Sequence, residues 1–336
     1  MVVRLAVVGC GAWGRNHVRA ASQLVGAELA AIVDPNPAAQ AHARQLAPHA
    51  QVHAALDAVL ADPTIDALVV ASPASTHGAL TRAALEARRH VLVEKPFVLD
   101  VAEAESLVHA AARAGRTLMV GHLLRYHPAF RALRQRVRAG ELGRLHYVHA
   151  ERVNLGAARD EANVLWALAP HDLSMLFALV DAAPVEVSAT GQAFTRPGRE
   201  DVVFATFRFA DDTLGHVHTS WLDVEKRRRL TVVGERRMAV FDDVAPTDKL
   251  RLHERPLDAT HTRDADPHFP TAAGDVHIPS IRMVEPLVAE LQHFVDRVVD
   301  GAAPETDGHE ALRVLRGLEA ASRSLAAGGR PVPLTR

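Results

Sequence analysis

The stretch "VVGCGAWG" limits the fold more than any other, because an apolar strand, a three-glycine turn and a helix start follow one another without a gap. Gly9, Gly11 and Gly14 are spaced as G-x-G-x-x-G. In that spacing the first glycine permits a tight turn, the second lets backbone approach a pyrophosphate, and the third lets the helix pack closely on the strand. The helix N-terminus, with Ala12 and Trp13 in the turn before it, presents aligned N–H groups to phosphates. Asp34 ends the next apolar run, 20 residues after Gly14, where a carboxylate accepts ribose hydroxyls. Three glycines alone could be only a turn, and it is the strand, helix and acid around them that point to a dinucleotide. A carboxylate repels a 2′-phosphate and no Arg follows Asp34 at once, so NAD is expected in preference to NADP.

The alternation continues to about residue 122. Short Val/Ile/Leu runs at 4–8, 27–33, 67–71, 90–93 and 117–121 are separated by Ala- and Arg-rich helical stretches. This is the pattern of a parallel sheet with helices on both faces, an α/β doubly wound domain over 1–122. At 336 residues the chain has room for about one more domain. The remainder, 123–336, is expected to form an α+β domain. "LHYVHAERVNL", "DVVFATFRF", "TLGHVHTSW", "RLTVVG" and "MAVFDD" supply a large, mostly antiparallel sheet, with a hairpin at "FADDTLG". Two closing helices, starting near Ser280 and Asp307, are candidates to pack back on the first domain. The irregular segment 256–279 is longer than an ordinary loop and reads as a binding loop, an oligomer arm or a disordered stretch.

Composition excludes several classes of partner. Lys plus Arg number 38 against 40 for Asp plus Glu, which leaves no basic footprint for nucleic acid or for anionic lipid. The single cysteine, Cys10, rules out an internal disulfide framework. No apolar run reaches the roughly 18 to 20 residues of a membrane span, and the N-terminus leads into the glycine turn without a cleavage site. A cytoplasmic protein is expected. His216 and His218 share a strand face and His261 and His268 lie in an Asp-rich loop, but no third ligand completes a metal pattern, so no metal is expected.

"RHVLVEKPF" poses a question of its own: a buried strand delivers Glu94 and Lys95 to its tip and is stopped by Pro96. Ligands of open α/β sheets sit beyond the carboxyl ends of the strands, so Lys95 projects towards that crevice. A lysine at a strand end also reads as one snorkelling into water. Against that, "SPASTH" brings Ser72, Pro73 and His77 to the same edge.

Together these motifs, followed by "GHLLRYHPAFRALRQ" and by "TDGHEALRVLRGLEAA" near the C-terminus, resemble the glucose–fructose oxidoreductase/inositol dehydrogenase (Gfo/Idh/MocA) family along the whole chain. The resemblance implies an N-terminal Rossmann domain and a dehydrogenase in which Lys95 sits beside the nicotinamide and hydrogen-bonds the reacting hydroxyl. It also implies contributions to the site from Glu94 and from His122, Arg125 and Tyr126. Family members carry an Asp followed four residues later by a His; in "NVLWALAPHDLSMLF" the His is His171, but the acid position holds Ala167. Pro170 reads as the first residue of a helix, whose positive end would keep His171 neutral and able to accept a proton.

"ERVNLG", "NVLWALAPHD", "SWLDVEKRRRLTVVGERRMAVFDD" and "GDVHIPSI" are similar to the nucleotide-sugar branch of that family. The substrate this implies is a UDP-N-acetylhexosamine oxidised at its 3-hydroxyl, with a cyclitol or free sugar as the alternative. A catalytically silent NAD-binding sensor is the reading of another class. Arg152, Asn154, Trp166 and Trp221 are the candidate substrate residues; Trp221 reads equally as core, and "EKRRR" more as a solvated charge run than as a diphosphate clamp. The family likeness also implies a homodimer or homotetramer through the second-domain sheet.

Overall fold

The computed structural model describes residues 2–156, 162–254 and 274–334. The first elements are β1 (Val3–Val8), α1 (Gly14–Ala21), β2 (Ala27–Val33), α2 (Pro37–Leu46), β3 (Gln51–His53) and α3 (Asp57–Ala61). Then come β4 (Ala67–Val70), α4 (His77–Glu86), β5 (His90–Glu94), α5 (Val101–Ala114), β6 (Leu118–Gly121) and α6 (Pro128–Arg138). The second half contains β7 (Leu145–Val153), α7 (Val164–Leu179), β8 (Pro184–Gln192), β9 (Val202–Phe209), β10 (Leu214–Ser220), β11 (Arg227–Gly234), β12 (Arg237–Asp242), β13 (Leu250–Glu254) and β14 (Val276–His277). The chain closes with α8 (Pro286–Asp300), α9 (Gly308–Ala326) and β15 (Val332–Pro333). It divides into two compact units, 1–127 with 284–315, and 128–283 with 316–336.

In the first unit six parallel strands are ordered β3-β2-β1-β4-β5-β6. The central strands β1, β4 and β5 are buried almost throughout, which is why they read as continuous apolar runs with no alternation. The short β3 was not visible in the sequence, because "QVH" is three residues long and carries no periodicity. Helix α8 joins this core through Leu287, Leu291 and Phe294. It starts at Pro286 rather than near Ser280, since proline at the first helical position removes a donor that has no partner there. Helix α5 ends at Gly115, whose φ of +61° is the left-handed cap that lets Arg116 N–H reach Ala111 O at 3.1 Å.

The second unit is built on a nine-stranded sheet, order β14-β13-β12-β11-β7-β10-β9-β8-β15, antiparallel except where β10 runs parallel to β7. The expected hairpin joins β9 to β10, with Asp212 at φ +67° in its turn. β9 alternates strictly between buried Val203, Ala205, Phe207 and Phe209 and exposed Phe204, Thr206 and Arg208. Of the segment 256–279, residues 256–273 lie outside the described residues, as do His261 and His268, and 276–277 form β14.

Candidate active site

The strand order of the first unit reverses between β1 and β4, so its ligand crevice opens beyond the carboxyl ends of those strands. Gly9 follows β1 with φ +96°, and a Cβ there would stand 2.6 Å from Ala71 O at the end of β4. A Cβ on Gly14 would collide with the carbonyl of Gly9, whereas one on Gly11 would meet nothing within 4 Å. Two glycines are therefore demanded by close packing and the third faces open space, a cradle that fits a dinucleotide pyrophosphate. The amide of Asn16 reaches Ala12 O at 3.4 Å, across the start of α1. Asp34 ends β2; its Oδ2 accepts the Cys10 N–H at 2.7 Å and its Oδ1 the Asn36 N–H at 2.9 Å, which fixes its carboxylate beside the glycine turn.

The loops after β4 and β5 are joined through one side chain. His77 Nδ1 lies 2.8 Å from Pro96 O and its Nε2 lies 2.9 Å from Ser72 O. Pro73 O accepts from Thr76, whose hydroxyl is also 2.7 Å from Ser72 Oγ. His77 is thus placed as a brace between loops.

Lys95 is half-buried at the tip of β5, next to a cis peptide bond to Pro96. Its neighbour Glu94 turns inward. Glu94 Oε1 accepts from Trp13 Nε1 and, at 2.8 Å, from His17 Nε2, while Oε2 accepts the Lys95 N–H at 3.1 Å. Gly121 at the end of β6 leaves room for this carboxylate, since a Cβ there would stand 3.2 Å from it. Burial pushes the Glu94 carboxyl up, but the His17 and Trp13 hydrogen bonds and the Lys95 charge outweigh it and hold the group below the usual range. His17 is the partner that the sequence did not reveal. It lies three residues after Gly14 on the buried face of α1, a position that looks like any core residue.

The stretch after β6 contributes less to the crevice than the resemblance implied. Tyr126 is fully buried, with its hydroxyl 3.0 Å from Thr306 Oγ1 and its ring 5.1 Å from that of His293. The expectation that it binds substrate is corrected: the ring fills the core between β6 and α8. Arg125 is buried too, held by Glu310 at 3.4 Å and by Glu305 O at 3.3 Å. The buried His122 imidazole has no hydrogen-bond partner among the described residues, and burial together with the Arg125 charge lowers its pKa to about 3. A cavity of about 420 Å³ lies away from the crevice, at the amino-terminal ends of β5 and β6, around His90, Thr117 and Pro304.

In the second unit α7 is capped by Asn163, whose Oδ1 accepts the Trp166 N–H at 3.2 Å, and Pro170 lies inside the helix. His171 is therefore the eighth helical residue, not the second. The helix-end argument for its neutrality falls away, because that field fades within the first turn. Ala167, the position of the missing acid, is one turn earlier on the same side. Trp166 donates its indole N–H to Ser322 Oγ at 2.9 Å. Trp221 is 4% exposed, a core placement. Arg152 is buried and forms a two-point pair with Asp172, Nε to Oδ2 at 2.7 Å and Nη2 to Oδ1 at 3.0 Å. Burial pushes the Asp172 carboxyl up, against the pull of Arg152. Asn154 Oδ1 receives Arg228 Nη2 at 3.4 Å. His216 and His218 stack instead on Phe204, and no group of three or more potential ligands among the described residues could hold a metal.

A glycine cradle with an acid at the end of β2 and a lysine at the same sheet edge defines the class, an NAD-dependent dehydrogenase acting on a CH–OH group. Residues 3–122 match the oxidoreductase family with an NAD-binding Rossmann fold, and 130–240 match the GFO/IDH/MocA C-terminal domain. The chain is 30% identical to the UDP-N-acetylglucosamine 3-dehydrogenase of Acidithiobacillus ferrooxidans, over 93% of this chain and 94% of that one. A solved structure of that enzyme, GnnA, superposes with a TM-score of 0.84 at 28% identity, covering 98% of this chain and 99% of the other. Inositol 2-dehydrogenase of Acidothermus cellulolyticus is 30% identical over 65% of this chain and 66% of its own. The WlbA dehydrogenase of Bordetella pertussis, solved with NADH and UDP-GlcNAcA, has a TM-score of 0.80 at 25% identity and covers 100% of both chains. The chain belongs to the Gfo/Idh/MocA family and is an NAD-dependent dehydrogenase.

Proposed function

We propose that the enzyme oxidises the 3-hydroxyl of a UDP-N-acetylhexosamine, with Lys95 and His171 handling the proton. The observation that carries this reading is Lys95 at the β5 tip, its main chain fixed by Glu94 and its flanking loop by His77. Bound NAD supplies the hydride acceptor. Lys95 donates a hydrogen bond to the reacting hydroxyl and orients it; the half-buried His171 imidazole takes the proton as the C–H bond breaks. Asp34 holds the adenosine ribose and favours NAD over NADP. The likeness to UDP-N-acetylglucosamine 3-dehydrogenase over nearly the full chain supports the substrate class.

The reading includes a cytoplasmic homodimer or homotetramer associating through the nine-stranded sheet. Its support is an outward face that carries Tyr147 at 45% and Phe204 at 42% exposure. The test is NADH formation with a panel of UDP-N-acetylhexosamines, free N-acetylhexosamines and cyclitols. Turnover confined to cyclitols would overturn the substrate. Lys95→Met should keep the fold and NAD affinity and lower turnover roughly 100-fold or more, and normal turnover would overturn the lysine's role.

A further inference from the structure

In β11 and β7 two arginines face each other. Arg228 pairs in register with Arg152, and both belong to the sheet face that carries Leu230, Val232, Val148 and Ala150 into the core. Like charges directly opposite on one face destabilise a sheet. Arg152 is neutralised by Asp172. Arg228 is not neutralised in this way: it is half-buried, no carboxylate pairs with it among the described residues, and its one hydrogen bond there is the 3.4 Å contact with Asn154. Its neighbours in the run behave differently. Arg227 turns to Asp223 at 3.1 Å and Glu151 at 3.4 Å, and Arg229 to Asp242 at 3.0 Å. Strand alternation thus splits "RRR" into two outward arginines with carboxylate partners and one inward arginine with none among the described residues.

We propose that Arg228 is a specificity-determining residue that binds an oxyanion carried by the substrate, with Asn154 orienting its guanidinium. The inference rests on the nucleotide-sugar reading for what the anion belongs to, a diphosphate linkage or a sugar carboxylate, and on the second unit's own geometry for the site. Burial, then the Arg152 charge, lower the Arg228 pKa, as expected for a cation in want of a counter-ion; Asp243 and Asp172 oppose this. A guanidinium offers the forked donors that phosphate and carboxylate accept. An incoming oxyanion would also relieve the repulsion between the two arginines.

The experiment uses the enzyme saturated with NAD, so that the glycine cradle is filled, and titrates inorganic pyrophosphate and acetate by calorimetry. Native enzyme should bind pyrophosphate, and Arg228→Gln should weaken that binding roughly 10- to 100-fold, while Arg227→Gln leaves it unchanged. Acetate binding lost with Arg228→Gln would identify the carboxylate as the preferred anion. On the substrate panel, Arg228→Gln should raise KM for charged sugars by a similar factor with little change in kcat, and should leave uncharged sugars alone. Neither anion binding to native enzyme, or equal binding by Arg228→Gln, overturns the inference. Turnover of cyclitols alone, with anion binding that still depends on Arg228, would instead overturn the substrate reading and leave the anion site standing.

Discussion

The tip of β5 and the inner face of β7–β11 are both polar clusters built on a sheet, yet they are organised in opposite ways. At the β5 tip a single acid, Glu94, gathers neutral and basic donors from the glycine turn, α1 and its own strand, so that one residue fixes the surroundings of Lys95. On the inner face of β7–β11 two arginines stand opposite each other; Asp172 pairs with Arg152, and Arg228 has no ion-pair partner among the described residues. The first region is complete without a ligand. The second is not, and that difference marks a rigid mount on one side and a receptive surface on the other.

The largest effect should come from breaking the one balanced pair in the receptive cluster. Asp172→Ala leaves Arg152 buried and uncompensated beside Arg228, and should cost about 3–5 kcal/mol of stability in denaturant melts. A melt within 1 kcal/mol of native would show that solvent reaches Arg152 and that the two regions differ less than the geometry indicates.

Next is the mount itself. Glu94→Gln keeps the shape but replaces a carboxylate that accepts three N–H groups, and should cost about 1–3 kcal/mol. Because the Trp13 indole sits on that carboxylate, its fluorescence should change in the same variant. If turnover falls while fluorescence and stability stay native, Glu94 acts on the chemistry directly rather than by positioning.

How much of each region the sequence disclosed follows from how each is assembled. The glycine turn, Asp34 and Lys95 are set by short spacings along single segments, so the motif carries its own geometry. The hairpin at Asp212 was legible for the same reason. The Arg152–Asp172 pair and the Arg152–Arg228 opposition depend on which strand lies beside which, and in what register, across 20 and 76 residues of sequence. No local pattern encodes that. Pro170 misled for a related reason: proline favours a helix start, but the Asn163 cap had already begun the helix two turns earlier.

A smaller effect concerns cofactor choice. Asp34→Ala removes the acid that would meet a 2′-phosphate, and should narrow the NAD over NADP preference by about tenfold, measured by titrating both. Since the Asp34 carboxylate also holds two backbone N–H groups, NAD affinity should fall somewhat in the same variant. An unchanged ratio would remove Asp34 from the ribose site and leave it as a brace for the turn.

The most selective effect, small near neutral pH for His122 and growing towards acid, is a pair of opposed pH dependences in the first unit. Glu290, on α8, is fully buried with neither carboxylate oxygen hydrogen-bonded among the described residues, and burial followed by the charge of Glu94 raises its pKa well above 4.5. Between the unfolded pKa and that raised value the folded state holds a proton the unfolded state has lost, so stability falls as pH rises through this window. His122 has the opposite sign. With a folded pKa of about 3 against 6.5 unfolded, it is neutral in the fold, and stability falls as pH drops from 6.5 towards 3. Glu290→Gln should therefore be more stable than native at neutral pH, with the advantage vanishing near pH 4.5. His122→Asn should flatten the acid limb and leave the neutral one unchanged. Urea melts across pH 4 to 8 would separate them. A Glu290→Gln profile parallel to native would mean that a water or a cation balances this carboxylate, and the mount would then be as receptive as the arginine cluster.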